Sequence, residues 1–245
     1  LLKSHAGELA CIIMEPLRSD EPPAGYLDGV RALASCYGVV LIFDEVSSGF
    51  RIARGSAQEY AGVTPDISVF AKAISNGYPM GAVVGKREFM EPAAQMFISS
   101  AYWDDNIGIA AALATLRELE RRDAVAHFNH IGALFKEQVN AAAAAVGLDA
   151  ACEGIAAHPR IRIGADDAAV AAKVNALFIQ ENARRGVILA TGFMFNCAHG
   201  EAEVVQTAAV LRQSFAKIAE GLDRGTLDQL LEVPPQAELF RRLVR

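Results

Sequence analysis

The sequence predicts an α/β fold, in which a large, mostly parallel-sheet domain (residues 1–150) is followed by a smaller α+β domain (151–245). Three observations lead there. An apolar run, a helical stretch and a second apolar run follow one another across residues 10–43, the pattern of a βαβ unit and hence of parallel strands. Two more short strand patterns surround a glycine-containing turn between residues 66 and 85. Near residues 146–158 the rhythm changes, and short strand patterns alternate with long helical ones to the end of the chain.

Taken in order, "ACIIM" (10–14) is a strand closed by Glu15-Pro16, and "EPPAGY" (21–26) is a loop. "YLDGVRALASCYG" (26–38) has helical periodicity, with Gly38 placed as its C-cap. "VVLIF" (39–43) is a second strand, apolar enough to be covered on both faces. "DISVFAKA" (66–73) and "GAVVG" (81–85) supply two more strands around "SNGYPMG". A long Ala-rich helical stretch runs over 106–145 with a break at Arg122-Asp123. "RIRIG" (160–164), a helix over 166–185, "GVILA" (186–190) and a helix over 201–220 complete the chain.

The 245 residues suit one large domain or a large and a small one, at roughly 100–200 residues per domain. With 29 acids against 23 bases and no basic run, nothing supports a nucleic-acid partner. No apolar stretch reaches membrane-spanning length, so no membrane partner is expected. Cys11, Cys36, Cys152 and Cys197 form no CxxC pair, which favours a reducing, cytoplasmic setting over disulfides or zinc. The chain opens on Leu1-Leu2 rather than Met and soon enters a strand pattern, as though a segment precedes it.

The chemistry concentrates where the second strand ends in adjacent carboxylates, Asp44 and Glu45. An acid at the end of so apolar a strand needs a positive partner. Nucleotidases place acids in this way to hold magnesium, but they require a GxxxxGK[ST] loop earlier in the chain. "GAVVGKR" (81–87) has one residue too few between its glycines, ends in Arg87, and lies after the acids. The second option is a heteroaromatic nitrogen kept protonated by the carboxylate, as in pyridoxal 5'-phosphate, which also requires a lysine for a Schiff base. Lys72 is such a lysine, flanked by Phe70-Ala71 and Ala73-Ile74. An amine in so apolar a stretch is expected to be desolvated, which favours its neutral, nucleophilic form.

"IIMEP", "LIFDEVSSGFR" and "FAKAISNGYPMGAVVG" together resemble class III pyridoxal-phosphate-dependent aminotransferases, most of all their glutamate-1-semialdehyde aminomutase-like branch. "SSAYWDDNIGIAAALATLREL" and "GVILATGFMFNCAHGEAEV" follow in the same order, so the resemblance covers most of residues 8–220. It implies fold-type I architecture and amino-group transfer between a small-molecule amino donor and a carbonyl acceptor. It also gives Asp44 the ring nitrogen, Val46 one face of the ring, and Lys72 both the Schiff base and the proton transfer. Glu45 is left to the ring or to anchoring the following turn, and Gly77 and Tyr78 to Gly81 to shaping the loop after the lysine.

In that family a threonine from the neighbouring subunit of a homodimer contacts the cofactor phosphate, ahead of the long helix. Ala101 stands in its register here, with Ser99 or Ser100 as the substitute hydroxyl. Family chains also carry a long N-terminal half that holds the phosphate, so the resemblance implies a C-terminal part only. The alternative is a non-catalytic remnant or interaction module of the same fold. The blander roles are a strand-end turn for Asp44, a surface-reaching lysine for Lys72 and a solvated helix face for His127 and His130. His199 is expected at a helix start, and Tyr102 and Trp103 at the site entrance or in packing.

Overall fold

A computed structural model describes residues 1–100, 102, 103, 105–165 and 167–235. The chain falls into two compact units, Leu1–Asn129 and His130–Arg245.

The first unit opens with β1 (Cys11–Met14), α1 (Tyr26–Tyr37) and β2 (Val40–Asp44). α1 ends at Gly38, whose left-handed backbone (φ 63°) lets Val39 N–H reach Ala34 O at 2.9 Å and turns the chain into β2. The short helix α2 (Ser56–Ala61), β3 (Ile67–Phe70), a 3-10 turn (Lys72–Ser75) and β4 (Ala82–Gly85) follow. Then come α3 (Arg87–Met90), a second 3-10 turn (Glu91–Gln95) and α4 (Asn106–Arg121), which Asp105 caps by accepting Ile107 N–H at 2.8 Å.

The sheet order is β1-β2-β3-β4. The first three strands are parallel, with Ile13 opposite Ile42 and Asp44 opposite Val69, and β4 is antiparallel to β3. The connection between β3 and β4 holds only a 3-10 turn and a loop, so the chain reverses rather than crossing over. Leu27, Ala34, Leu41, Phe43 and Val63 form the core on the α1 face. The opposite face departs from the expectation of double cover. Ile42 is half-buried and Ile13 is 63% exposed, because no described element of this unit covers them.

Helix α5 (Ala124–Ala145) begins after Asp123, whose φ of 45° breaks the long helical stretch where the sequence expects it. The second unit takes the rest of α5 and adds β5 (Ala150–Glu153), β6 (Arg160–Ile163), α6 (Ala168–Arg184), α7 (Glu201–Asp223) and α8 (Leu227–Leu230). β5 and β6 pair antiparallel, and Asn140 Oδ1 takes Cys152 N–H at 2.7 Å, tying α5 to β5. Burial pushes the Cys152 thiol up to about 12. Phe178 and Phe215 stack at 6.1 Å between α6 and α7. The apolar run "GVILA" is not a strand: Ile188 is exposed, and only a single bridge, Arg160 to Gly192, joins this region to β6. The partner of β6 is instead "AACE", which carries no alternation.

Candidate active site

Parallel strands in open α/β sheets present ligand sites beyond their carboxyl ends. Asp44 ends β2, and Lys72 follows the end of the neighbouring strand β3. The turn after Asp44 is tightly organised. Val46 N–H donates to Asp44 Oδ1 at 3.0 Å, and Gly49 N–H donates to Glu45 O at 2.8 Å. A Cβ on Gly49 would stand 2.7 Å from Glu45 O and 2.8 Å from Phe70 Cδ1, so only glycine lets the turn close onto β3. Phe50, next in the chain, packs its ring on Phe70 at 5.1 Å.

Glu45 anchors this turn. It is fully buried and accepts from Ser48 Oγ at 3.1 Å, Ala57 N–H at 2.7 Å and Gln58 N–H at 3.4 Å. The last two belong to the first turn of α2, whose start is therefore capped by a carboxylate from another part of the chain. Burial raises the Glu45 carboxyl above its ordinary value; the three hydrogen bonds oppose that rise without cancelling it.

Asp44 itself is half-buried, and among the described residues no basic side chain pairs with it. Val46 is half-buried beside it.

Lys72 departs from its expected setting, because it is exposed and outside the strand. The strand stops at Phe70; Ala71 is extended, and Lys72 takes a left-handed backbone with φ 49°. That bend sends the side chain out of the apolar stretch, and Lys72 Nζ donates to Ser47 Oγ at 2.9 Å. The loop beyond is braced twice. Ser75 Oγ donates to Tyr78 O at 2.5 Å, and Gly108 of α4 lies so close to Pro79 O that a Cβ would stand 2.6 Å away.

A 470 Å³ cleft holds Lys72 together with Arg51, Asn76, Gly77, Tyr78 and Pro79. Arg51 is notable because its Nε is buried without a hydrogen-bond partner among the described residues, and burial lowers its pKa. Ser100 is not in this cleft. It lines a separate 570 Å³ one with Met80, Tyr102, Trp103 and Asp105, and Pro79 is common to both. Ala101, the residue in the threonine register, lies outside the described residues. His127 meets the Phe128 ring edge-on, and exposed His130 pairs with Glu201 at 3.1 Å. Among the described residues no three His, Cys, Asp or Glu side chains gather as a metal site. His199 stands just before α7, its Nδ1 accepting Asn196 N–H at 3.3 Å. Ser47 and Arg51 were not singled out in the sequence, although both lie within "DEVSSGFR". Their significance comes from a contact and an orphaned N–H, which residue type alone does not reveal.

The aminotransferase class-III family model matches residues 1–151. The chain belongs to that family. A 3-aminobutyryl-CoA aminotransferase from Cloacimonas acidaminovorans is 32% identical over 232 residues, covering 91% of this chain and 56% of the relative. A glutamate-1-semialdehyde 2,1-aminomutase from Methanocaldococcus jannaschii is 41% identical over 128 residues, 49% of this chain and 30% of that one. Among solved structures, the FumI protein of a Sphingopyxis species, in its pyridoxal-phosphate internal aldimine form, aligns with a TM-score of 0.83. Its identity is 26%, and the match covers 91% of this chain and 55% of that one. A transaminase with pyridoxal phosphate bound gives a TM-score of 0.81 at 26% identity, over 90% of this chain and 55% of that one. The class III chain therefore has the fold-type I architecture and spans about half the length of these full-chain matches. No helix among the described residues is long and apolar enough to cross a membrane.

Proposed function

We propose that this chain carries the reactive lysine and the ring-nitrogen carboxylate of a pyridoxal-phosphate-dependent aminotransferase or aminomutase. The observation that carries this is the placement of Asp44 at the carboxyl end of β2 and of Lys72 just beyond that of the adjacent parallel strand β3, with Ser47 of the Asp44 turn hydrogen-bonded to the Lys72 amine. The donor set fits pyridoxal 5'-phosphate. A half-buried carboxylate without a cation suits a protonated ring nitrogen, an exposed amine suits an aldehyde, and the orphaned Arg51 N–H suits an anionic group. When bound, the cofactor supplies the electron sink for amino-group transfer.

The chain's own residues have these roles. Asp44 would keep a proton on the ring nitrogen. Val46 would line one face of the ring. Lys72 would hold the cofactor through Nζ, and the same Nζ would accept and return a substrate proton. Ser100, in its separate cleft, serves the phosphate of a neighbouring subunit in a homodimer. The exposed apolar side chains of Phe97, Trp103, Ile107, Ile109 and Leu113 support such an interface. The substrates are a small-molecule amino donor and a carbonyl acceptor. A domain boundary at 150/151 is part of the same reading, supported by the extent of the family match, whereas the compact units divide earlier, after Asn129. A reducing, cytoplasmic setting also belongs to it, supported by four free thiols.

Lys72 is tested by adding excess pyridoxal phosphate to the chain, reducing with borohydride and mapping the modified peptide. A visible absorption band lost on reduction and a label on Lys72 are expected. A label on Lys86 or Lys136 in its place overturns the assignment.

A further inference from the structure

The Lys72 amine donates to one neutral hydroxyl, Ser47 Oγ, although the Asp44 carboxylate stands three residues earlier in the same turn. We propose that Ser47 is a positioning residue that holds the Lys72 amine at the mouth of the parallel strands, in both its protonated and its neutral state. The inference rests on Lys72 being the reactive amine.

Three features support it. First, Ser47 is fixed from both sides. The N–H of Val46 before it binds Asp44 Oδ1, and the hydroxyl of Ser48 after it binds buried Glu45, while Gly49 closes the turn against Phe70. The hydroxyl is therefore presented by a rigid stretch rather than by a mobile loop. Second, Lys72 has a long, flexible and exposed side chain, which loses much rotamer freedom when held in one place. Its left-handed backbone directs it, and the Ser47 contact is what ends its wandering. Third, a hydroxyl suits an amine that must change state. It accepts from an ammonium and can rotate to donate into the lone pair of a free amine. A carboxylate at the same place could only accept, and its charge-assisted bond would favour the ammonium, which cannot attack a carbonyl.

The Ser47 hydroxyl competes with a reagent arriving from bulk water, because as an acceptor it favours the unreactive ammonium and as a donor it occupies the lone pair of the free amine. The test uses the 245-residue chain without cofactor. Its lysines are acetylated at one pH with a limiting water-soluble ester, and the rate at each site is read by peptide mass spectrometry, with exposed Lys3 as internal reference. Ser47→Ala is expected to raise the Lys72 rate relative to Lys3 about threefold or more, the size of one ordinary hydrogen bond. Ser47→Thr keeps the hydroxyl and should stay within about twofold of the parent, whereas Ser47→Asp should slow Lys72 about tenfold or more. An unchanged or slower Lys72 in Ser47→Ala, or Thr behaving like Ala, overturns the proposal. If melting curves show that Ser47→Ala does not fold, the Thr and Asp variants decide: equal rates overturn the proposal, and a slow Asp variant beside a parent-like Thr variant upholds it. No cofactor takes part, so failure here is distinct from failure of the cofactor assignment, which is read from the reduced peptide.

Discussion

Glu45 and Asp66 are both carboxylates buried in the first unit, and they are held in opposite ways. Glu45 is 0% exposed and meets only neutral donors: one hydroxyl and two backbone N–H groups. Asp66 is 3% exposed and meets Leu41 N–H at 2.9 Å together with two cations, Arg31 at 2.9 Å and Lys86 at 2.7 Å. For both, burial pushes the carboxyl up. At Glu45 burial wins; at Asp66 the hydrogen bonds from Leu41, Lys86 and Arg31 outweigh it and hold the carboxyl below its ordinary value. Neutral donors can satisfy a buried acid without making its charge welcome, whereas cations can do both. The rivet that joins α1, β2 and the end of β4 is thus built to stay charged. The turn beside Lys72 is held by a group poised closer to neutrality.

The strongest way to break the contrast is Asp66→Asn. The amide keeps an acceptor for Leu41 N–H but leaves Arg31 and Lys86 without a counter-charge. A fully buried pair broken on one side costs about 3–5 kcal/mol. Both cations reach water here, so a loss of about 2–3 kcal/mol is expected in urea unfolding at neutral pH. Gly49→Ala comes next. Its methyl must displace both the Glu45 carbonyl and the Phe70 ring, and about 1–2 kcal/mol should be lost, read as a lower urea midpoint with an unchanged slope. Glu45→Gln is smaller, about 1 kcal/mol, because one oxygen still accepts from α2 while the second acceptor is lost.

The pH dependence sharpens the contrast further. Folding favours the protonated form of Glu45, so its contribution is full below the unfolded value of about 4.3 and is lost as pH rises through the raised folded value. Asp66 runs the other way. Its contribution is full above about 3.9 and is lost as pH falls through its depressed folded value. Between pH 3 and 7, the stability gap between parent and Asp66→Asn should therefore widen with rising pH, and the gap between parent and Glu45→Gln should narrow. Parallel slopes would remove the distinction.

What was legible in the sequence follows from how local each signal is. The βαβ unit, the Gly38 cap, the break at Asp123 and the long helices are written in periodicity and in residues that terminate structure where they stand. Helix α2 was not legible, because six residues nucleate a helix poorly and its cap comes from Glu45, far back in the chain. β5 was missed for want of alternation, and "GVILA" was overread because an apolar run is no strand without a partner edge. At the candidate site, the motifs placed Asp44, Val46 and Lys72 in the chain. The exposure of Lys72 was misjudged, since apolar neighbours in sequence say nothing once the backbone turns left-handed between them.

That left-handed turn has a consequence for how this sequence can drift. A lysine at φ 49° carries a conformational penalty of roughly 1 kcal/mol that glycine escapes. A functional residue in an ordinary backbone conformation costs the fold nothing, so loss of use leaves it to decay slowly. Position 72 is different, because selection for stability alone pushes towards replacing its lysine. In any lineage where the amine has no use, this position should be among the first to change, and glycine or asparagine is the replacement the backbone invites.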